Sequence, residues 1–202
     1  MKILQISGSG RNCGKTTLGC ALIHGFPTLR WSALKLTPHQ HAAPSSADAG
    51  MRSRNAVTGR QSKDTDRFLA AGVVSAQLRQ AVPDAQQFAA KAAIADVLLI
   101  ESGQPLDCDS WPLLHLAIAP LHTPALWKTE FLLRLAASGD HAAPLDAQPS
   151  CGRINALILL GDPQAEIPSC IPAHLPIFCQ QSLAPLTPSL ESFVAKFLTK
   201  QS

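Results

Sequence analysis

The stretch GSGRNCGKTT, residues 8–17, follows directly on the apolar run KILQIS and constrains this chain more than any other segment. In the common phosphate-loop pattern G-x-x-x-x-G-K-[ST], the leading glycine should stand at position 9, which is Ser9. If Gly8 is the first glycine, the spacing is G-x5-G-K-T, one residue longer. With a strand ahead and a helix behind, Gly10, Arg11, Asn12, Cys13, Gly14, Lys15, Thr16 and Thr17 would surround an anion at a helix N-terminus, with backbone N–H groups turned inward. Lys15 would then reach the β- and γ-phosphates, and the Thr16 hydroxyl would ligate Mg2+.

The rest of the chain supplies the setting that such a loop needs. Short apolar runs at 2–7, 30–36, 96–101, 113–120, 153–160 and 175–180 read as buried strands. Helical patterns cover 16–26, 83–95, 123–138 and 189–199, with Leu18, Ala21, Leu22 and 24–26 on the inner side of the first. DTDRFLAAG opens a shorter helix with Asp64 or Thr65 as its N-cap. VVSAQLR, 73–79, fits either a strand or the continuation of that helix, and its β-branched start favours the strand. Strands alternating with helices predict an α/β, three-layer fold around a mostly parallel sheet of about seven strands. At 202 residues, and with no internal repeat, the chain reads as one domain.

Several polar residues stand where such a sheet presents its ligand. Glu101 ends an apolar strand beside the expected phosphate site, so it can hold the metal or its water. Asp64 can approach the same Mg2+ from the following helix, as can Asp66, although an aspartate there also suits a cap. Lys35 closes the second strand and faces the crevice. From Thr37 to Lys63 periodicity disappears, which predicts a long, switch-like loop. It carries His39 and His41, an H-x-H pair that needs further ligands to hold a metal. Arg52, Arg54, Arg60, Lys63 and Arg67 concentrate positive charge in and after it.

The lengthened loop resembles that of dethiobiotin synthetase and of the cobyrinic and cobyric acid synthases, P-loop proteins of the division that also holds the MinD and nitrogenase iron-protein ATPases. Gly10 stands where MinD-type loops carry their signature lysine. ALKLTPHQH, KDTDRFLAAG and DVLLIESG together resemble the adaptor protein of molybdopterin-guanine dinucleotide biosynthesis, over roughly residues 1–105. Ser102 replaces the glycine that usually follows the strand-end glutamate. The resemblance implies a nucleotide-binding protein of cofactor biosynthesis, with a partner enzyme or a small-molecule substrate. It also implies that Lys35 contacts substrate, as the corresponding lysine of dethiobiotin synthetase does, and that a homodimer is possible.

Composition narrows the partners. A net charge of +3 with scattered Lys and Arg argues against nucleic acid. No apolar stretch approaches 18 residues and the N-terminus lacks a signal-peptide core, so the expectation is a cytoplasmic protein without a membrane span. The six cysteines, Cys13, Cys20, Cys108, Cys151, Cys170 and Cys179, form no C-x-x-C pair, which argues against both a disulfide scaffold and a zinc ribbon. Cys13 alone lies where a helix N-terminus can lower a thiol pKa. RINALILLGDPQ offers Asn155 and Asp162 but no N-K-x-D, so ATP is favoured over GTP. Three activities fit: a Mg-dependent triphosphatase of cofactor biosynthesis, with Lys15, Lys35 and Glu101 as its catalytic residues; an ATP-dependent ligase acting on a small carboxylate or amine; and a nucleotide-binding regulatory protein without catalysis.

Overall fold

Among the described residues seven strands, six of them from apolar runs, form a single sheet ordered β3-β2-β4-β1-β5-β6-β7, with every neighbouring pair parallel. They are β1 (Lys2–Gly8), β2 (Trp31–Leu36), β3 (Ser75–Arg79), β4 (Val97–Glu101), β5 (Leu113–Pro120), β6 (Ala156–Leu160) and β7 (Ile177–Gln180). Four helices accompany them among the described residues: α1 (Lys15–Gly25), α2 (Lys63–Ala70), α3 (Thr129–Ala137) and α4 (Pro188–Thr199). This computed structural model describes residues 1–37, 63–79, 87, 90–91, 93–103, 106, 111–138 and 153–200. Most of the 37–63 segment, with His39, His41, Arg52, Arg54 and Arg60, lies outside them, as do Cys108 and Cys151. Of the helix expected over 83–95, residues 87, 90 and 91 are described as helical.

Both sheet faces are covered, so the strands read as nearly continuous apolar runs. On one face Leu4, Ile6, Leu99, Leu116 and Ile158 pack with Leu18 and Leu22 of α1, Phe68 of α2, and Leu190 and Val194 of α4. On the other, Ala117, Ala119, Leu157 and Leu159 meet Trp127, Phe131 and Leu135 around α3. β1 lies at the centre, between β4 and β5. The chain leaves it through α1 toward β2 on one side, while β5, β6 and β7 extend the sheet on the other. A parallel sheet opens its ligand crevice at the carboxyl end of a strand placed in this way.

Three expectations change. The helix predicted over 123–138 is broken: Pro124–Leu126 form a 3-10 turn, Trp127 and Lys128 are extended, and α3 starts at Thr129. Tertiary hydrogen bonds outweigh the local pattern, since Trp127 Nε1 donates to the Pro120 carbonyl at 3.0 Å and the Lys128 amide donates to the Ser9 carbonyl at 3.0 Å. In α1, His24 is exposed and Ile23 is buried instead. The buried band of that helix is widened because α1 packs against α2 as well as the sheet: a Cβ on Gly19 would lie 2.7 Å from Phe68 and 2.9 Å from Leu99. Asn155, expected within the sixth strand, precedes it, and its side-chain oxygen accepts from the His115 amide at 2.7 Å.

His115 itself is fully buried in β5. Its Nδ1 is 3.0 Å from the Arg153 carbonyl, which only accepts, so Nδ1 carries the proton and Nε2 accepts from the Ser7 hydroxyl at 2.7 Å. Burial pulls its pKa down from 6.5 to about 4. The unfolded imidazole thus takes up a proton at a higher pH than the folded one. Its contribution to stability is complete above pH 6.5 and is lost as pH falls toward 4. The expected loss across that window is about 3 kcal/mol from this residue. Urea melts at several pH values should show it, and His115→Gln, less stable at neutral pH, should flatten that part of the profile.

Candidate functional site

The loop between β1 and α1 has the lengthened register. A Cβ on Gly8 would stand 2.3 Å from the Cys13 sulfur and 3.1 Å from the Ile118 carbonyl, so only glycine fits there. Asn12 at φ 57 and Gly14 at φ 94 turn the chain back toward α1. A Cβ on Gly14 would meet Leu183 at 2.7 Å. Gly10, in contrast, has open space around it. The Ser9 amide donates to the Ile118 carbonyl at 3.0 Å, which ties the loop to β5. Cys13 is buried, and its thiol donates to the Gly10 carbonyl at 3.3 Å, a packing role. Lys15 Nζ donates to the same carbonyl at 2.7 Å, spanning the loop from its helical end. Arg11 and Asn12 are exposed at the tip.

The chemistry gathers where β1, β4 and β2 end side by side. Register pairs Glu101 with Ile6 on one side and with Lys35 on the other. Glu101 is 4% exposed; its Oε2 accepts from the Thr16 hydroxyl at 2.8 Å, and its Oε1 lies 3.1 Å from Lys35 Nζ. Lys35 also pairs with Asp64, whose carboxylate stands beside the Thr16 hydroxyl. Burial disfavours the Lys35 ammonium, but its hydrogen bond to Asp64 and the charge of Glu101 outweigh this and hold its pKa above the usual lysine value. Burial likewise pushes the Asp64 carboxyl up, and the hydrogen bond and charge of Lys35, with smaller help from Thr16 and Arg67, bring it below its usual value.

Asp64 is therefore not a helix cap. α2 begins at Lys63, which places Asp64 and Asp66 in its first turn and leaves neither Asp64 nor Thr65 at the cap position. Asp66 is exposed. Arg67, one turn on from Lys63, sends Nη2 to the Thr17 hydroxyl at 2.9 Å, so α2 touches both threonines of the loop. That contact was legible only as one positive charge among several.

The donor set suits a hard cation: one hydroxyl and two carboxylates, all oxygen. Among the described residues no three His, Cys, Asp or Glu side chains converge on one point. Phosphate and water would have to complete the shell, as Mg2+ commonly requires.

No protein-family model and no curated protein matches the chain. Among solved structures, HypB from Helicobacter pylori in complex with nickel superposes with a TM-score of 0.54 at 13% identity, over 100% of this chain and 92% of that one. The chain has the P-loop NTPase fold. A MobB protein homolog from Bacillus stearothermophilus superposes at 0.48 with 16% identity, over 99% of this chain and 100% of that chain. Bacillus subtilis MobB superposes at 0.46 with 18% identity, over the whole of both chains. Among the described residues no helix is long and apolar enough to cross a membrane.

Gly8 and Gly10 should respond oppositely to a methyl group. Gly8→Ala must displace Cys13 and is expected to cost about 1–3 kcal/mol, lowering Tm by several degrees. Gly10→Ala, with nothing within 4 Å of its Cβ, should stay within about 0.5 kcal/mol of the parent in the same melts.

Proposed function

We propose that the chain binds a nucleoside triphosphate with Mg2+ and hydrolyses it in the service of cofactor assembly. The observation that carries this reading is the contact between Thr16 and Glu101 at 2.8 Å, immediately beside Lys15 on a loop whose Gly8 and Gly14 leave no room for a Cβ. A hydroxyl and a strand-end carboxylate joined in this way are the parts that hold a metal against the phosphates in such loops.

In this reading the backbone N–H groups of 10–17 and the Lys15 ammonium receive the β- and γ-phosphates. Thr16, Glu101 and Asp64 would hold Mg2+, which when bound would supply positive charge where negative charge develops on the transferred phosphoryl group. Asp162 Oδ1 is used by the Gln164 amide at 2.9 Å, and Asn155 is used by His115. Neither supports guanine recognition of the N-K-x-D kind, so ATP is the expected nucleotide. Cofactor assembly is the setting suggested by the motif resemblance, and a partner enzyme that changes a slow intrinsic rate belongs to it.

Lys35 supports a second reading, an ATP-dependent ligase. Its ammonium lies at the strand end next to the metal-binding carboxylates, where it can steady a carboxylate or carbamate while ATP activates it. The two readings differ in what phosphate release requires. With Mg2+ and ATP alone, steady release favours the triphosphatase; release only on addition of a small carboxylate or amine favours the ligase. In the ligase case Lys35→Ala should abolish turnover and leave ATP binding intact.

Lys15→Ala is the test common to both. Removing a charged donor from the phosphates should weaken nucleotide binding by on the order of 100-fold in calorimetry. Affinity that survives this change would mean that the nucleotide binds elsewhere.

A further inference from the structure

The polar side chains beside the loop close a ring. Thr16 touches Glu101 and Asp64, and Lys35 touches the same two carboxylates from the other side. The Lys35 ammonium thus stands between the oxygens that a divalent cation would need. Building on the metal and nucleotide reading above, we propose that Lys35 is an internal counter-ion that bars free divalent metal from the site, so that metal enters only together with the triphosphate.

The argument is one of charge and saturation. Glu101 is 4% exposed, and both of its oxygens are engaged, one by Thr16 and one by Lys35. A buried carboxylate left without a cation is strongly disfavoured, so some positive charge must stay there at all times. In the free protein the ammonium fills that need, and its carbon stem is anchored on β2 in register with Glu101. A bare dication could enter only by expelling the ammonium from both carboxylates at once, and would then repel it at short range with no acceptor in the ring left for it. A triphosphate changes the balance, because its oxygens give Lys35 a new acceptor as the carboxylates take up the metal. The exchange then costs no uncompensated charge.

Asp64 gives the exchange a structural consequence. It is the ring's only member on α2, and Lys35 fastens it to β2. Handing Asp64 from Lys35 to a metal replaces a tie to the sheet with a tie to the nucleotide, so the start of α2 is held by a different group in each state.

The test is Mn2+ binding without nucleotide, read from the free-ion electron paramagnetic resonance signal. Lys35→Met and Lys35→Gln should bind Mn2+ at least about tenfold more tightly than the parent. The gain should vanish when Glu101→Gln is added. Folded variants that bind Mn2+ no better than the parent would overturn the proposal. Should both variants fail to fold, the parent decides: its Mn2+ affinity must rise sharply with a non-hydrolysable ATP analogue, and equal affinity with and without the analogue overturns the counter-ion role. If the variants gain Mn2+ while the parent binds no nucleotide in calorimetry, Lys35 is still the counter-ion and the nucleotide reading alone is wrong.

Discussion

The carboxylate of Glu101 is the constraint on which the site depends. It sits at the end of a strand whose other residues are all buried and apolar, and it is 4% exposed itself. A charge in that position needs partners on every side, and removing one from such a buried pair typically costs about 3–5 kcal/mol. The sheet supplies them by register. β1 delivers Thr16 through the loop and α1, and β2 delivers Lys35 directly opposite Glu101. Shifting β2 by one residue would turn Lys35 to the other face and leave the carboxylate without a cation. The same interaction that makes the site chemically capable therefore holds three strands in one register.

The loop is constrained from the opposite direction, by the absence of side chains. Gly8 and Gly14 are pressed against Cys13 and against Leu183, whereas Gly10 is not pressed at all. Of the glycines in GSGRNCGKTT, the two that bound the lengthened spacing are thus the two the packing requires. The insertion is absorbed by Asn12 in a left-handed conformation and by Cys13, whose buried thiol fills the space under the loop. Cys13 therefore belongs to the loop's scaffold, a use that the pattern of reactive cysteines does not suggest.

Much of the fold was legible because it rests on short-range regularities. Six of the seven strands follow from apolar runs, and the seventh, β3, from the β-branched residues ahead of it. Lys15, Thr16, Lys35 and Glu101 were legible by their positions at element ends, which a parallel sheet brings to one edge. What escaped depends on partners far away in the chain. The helix expected over 123–138 breaks because the amide of Lys128 serves Ser9. Asp64 reads from the sequence as either a cap or a metal ligand, and its pairing with Lys35, 29 residues away, is what the sequence does not show. His115 carries no sequence signal at all: within an apolar strand its polarity is absorbed by Ser7, Arg153 and the strand's own burial.

On the proposed reading, the distribution of charge around Gly14 would also give a triphosphate a direction. Lys35, Glu101, Asp64 and Arg67 all lie on the β2 and β4 side of β1, together with Thr16 and Thr17 which they touch. On the β5 to β7 side the neighbours of Gly14 are Ile118, Leu160 and Leu183, all apolar. The terminal phosphates of a nucleotide would face the first group, since Ile118 and Leu183 are buried beneath the loop and offer no polar partner. On the proposed reading, the polarity of the nucleotide is therefore set by which strands carry charged residues at their carboxyl ends, before any contact with the base is made.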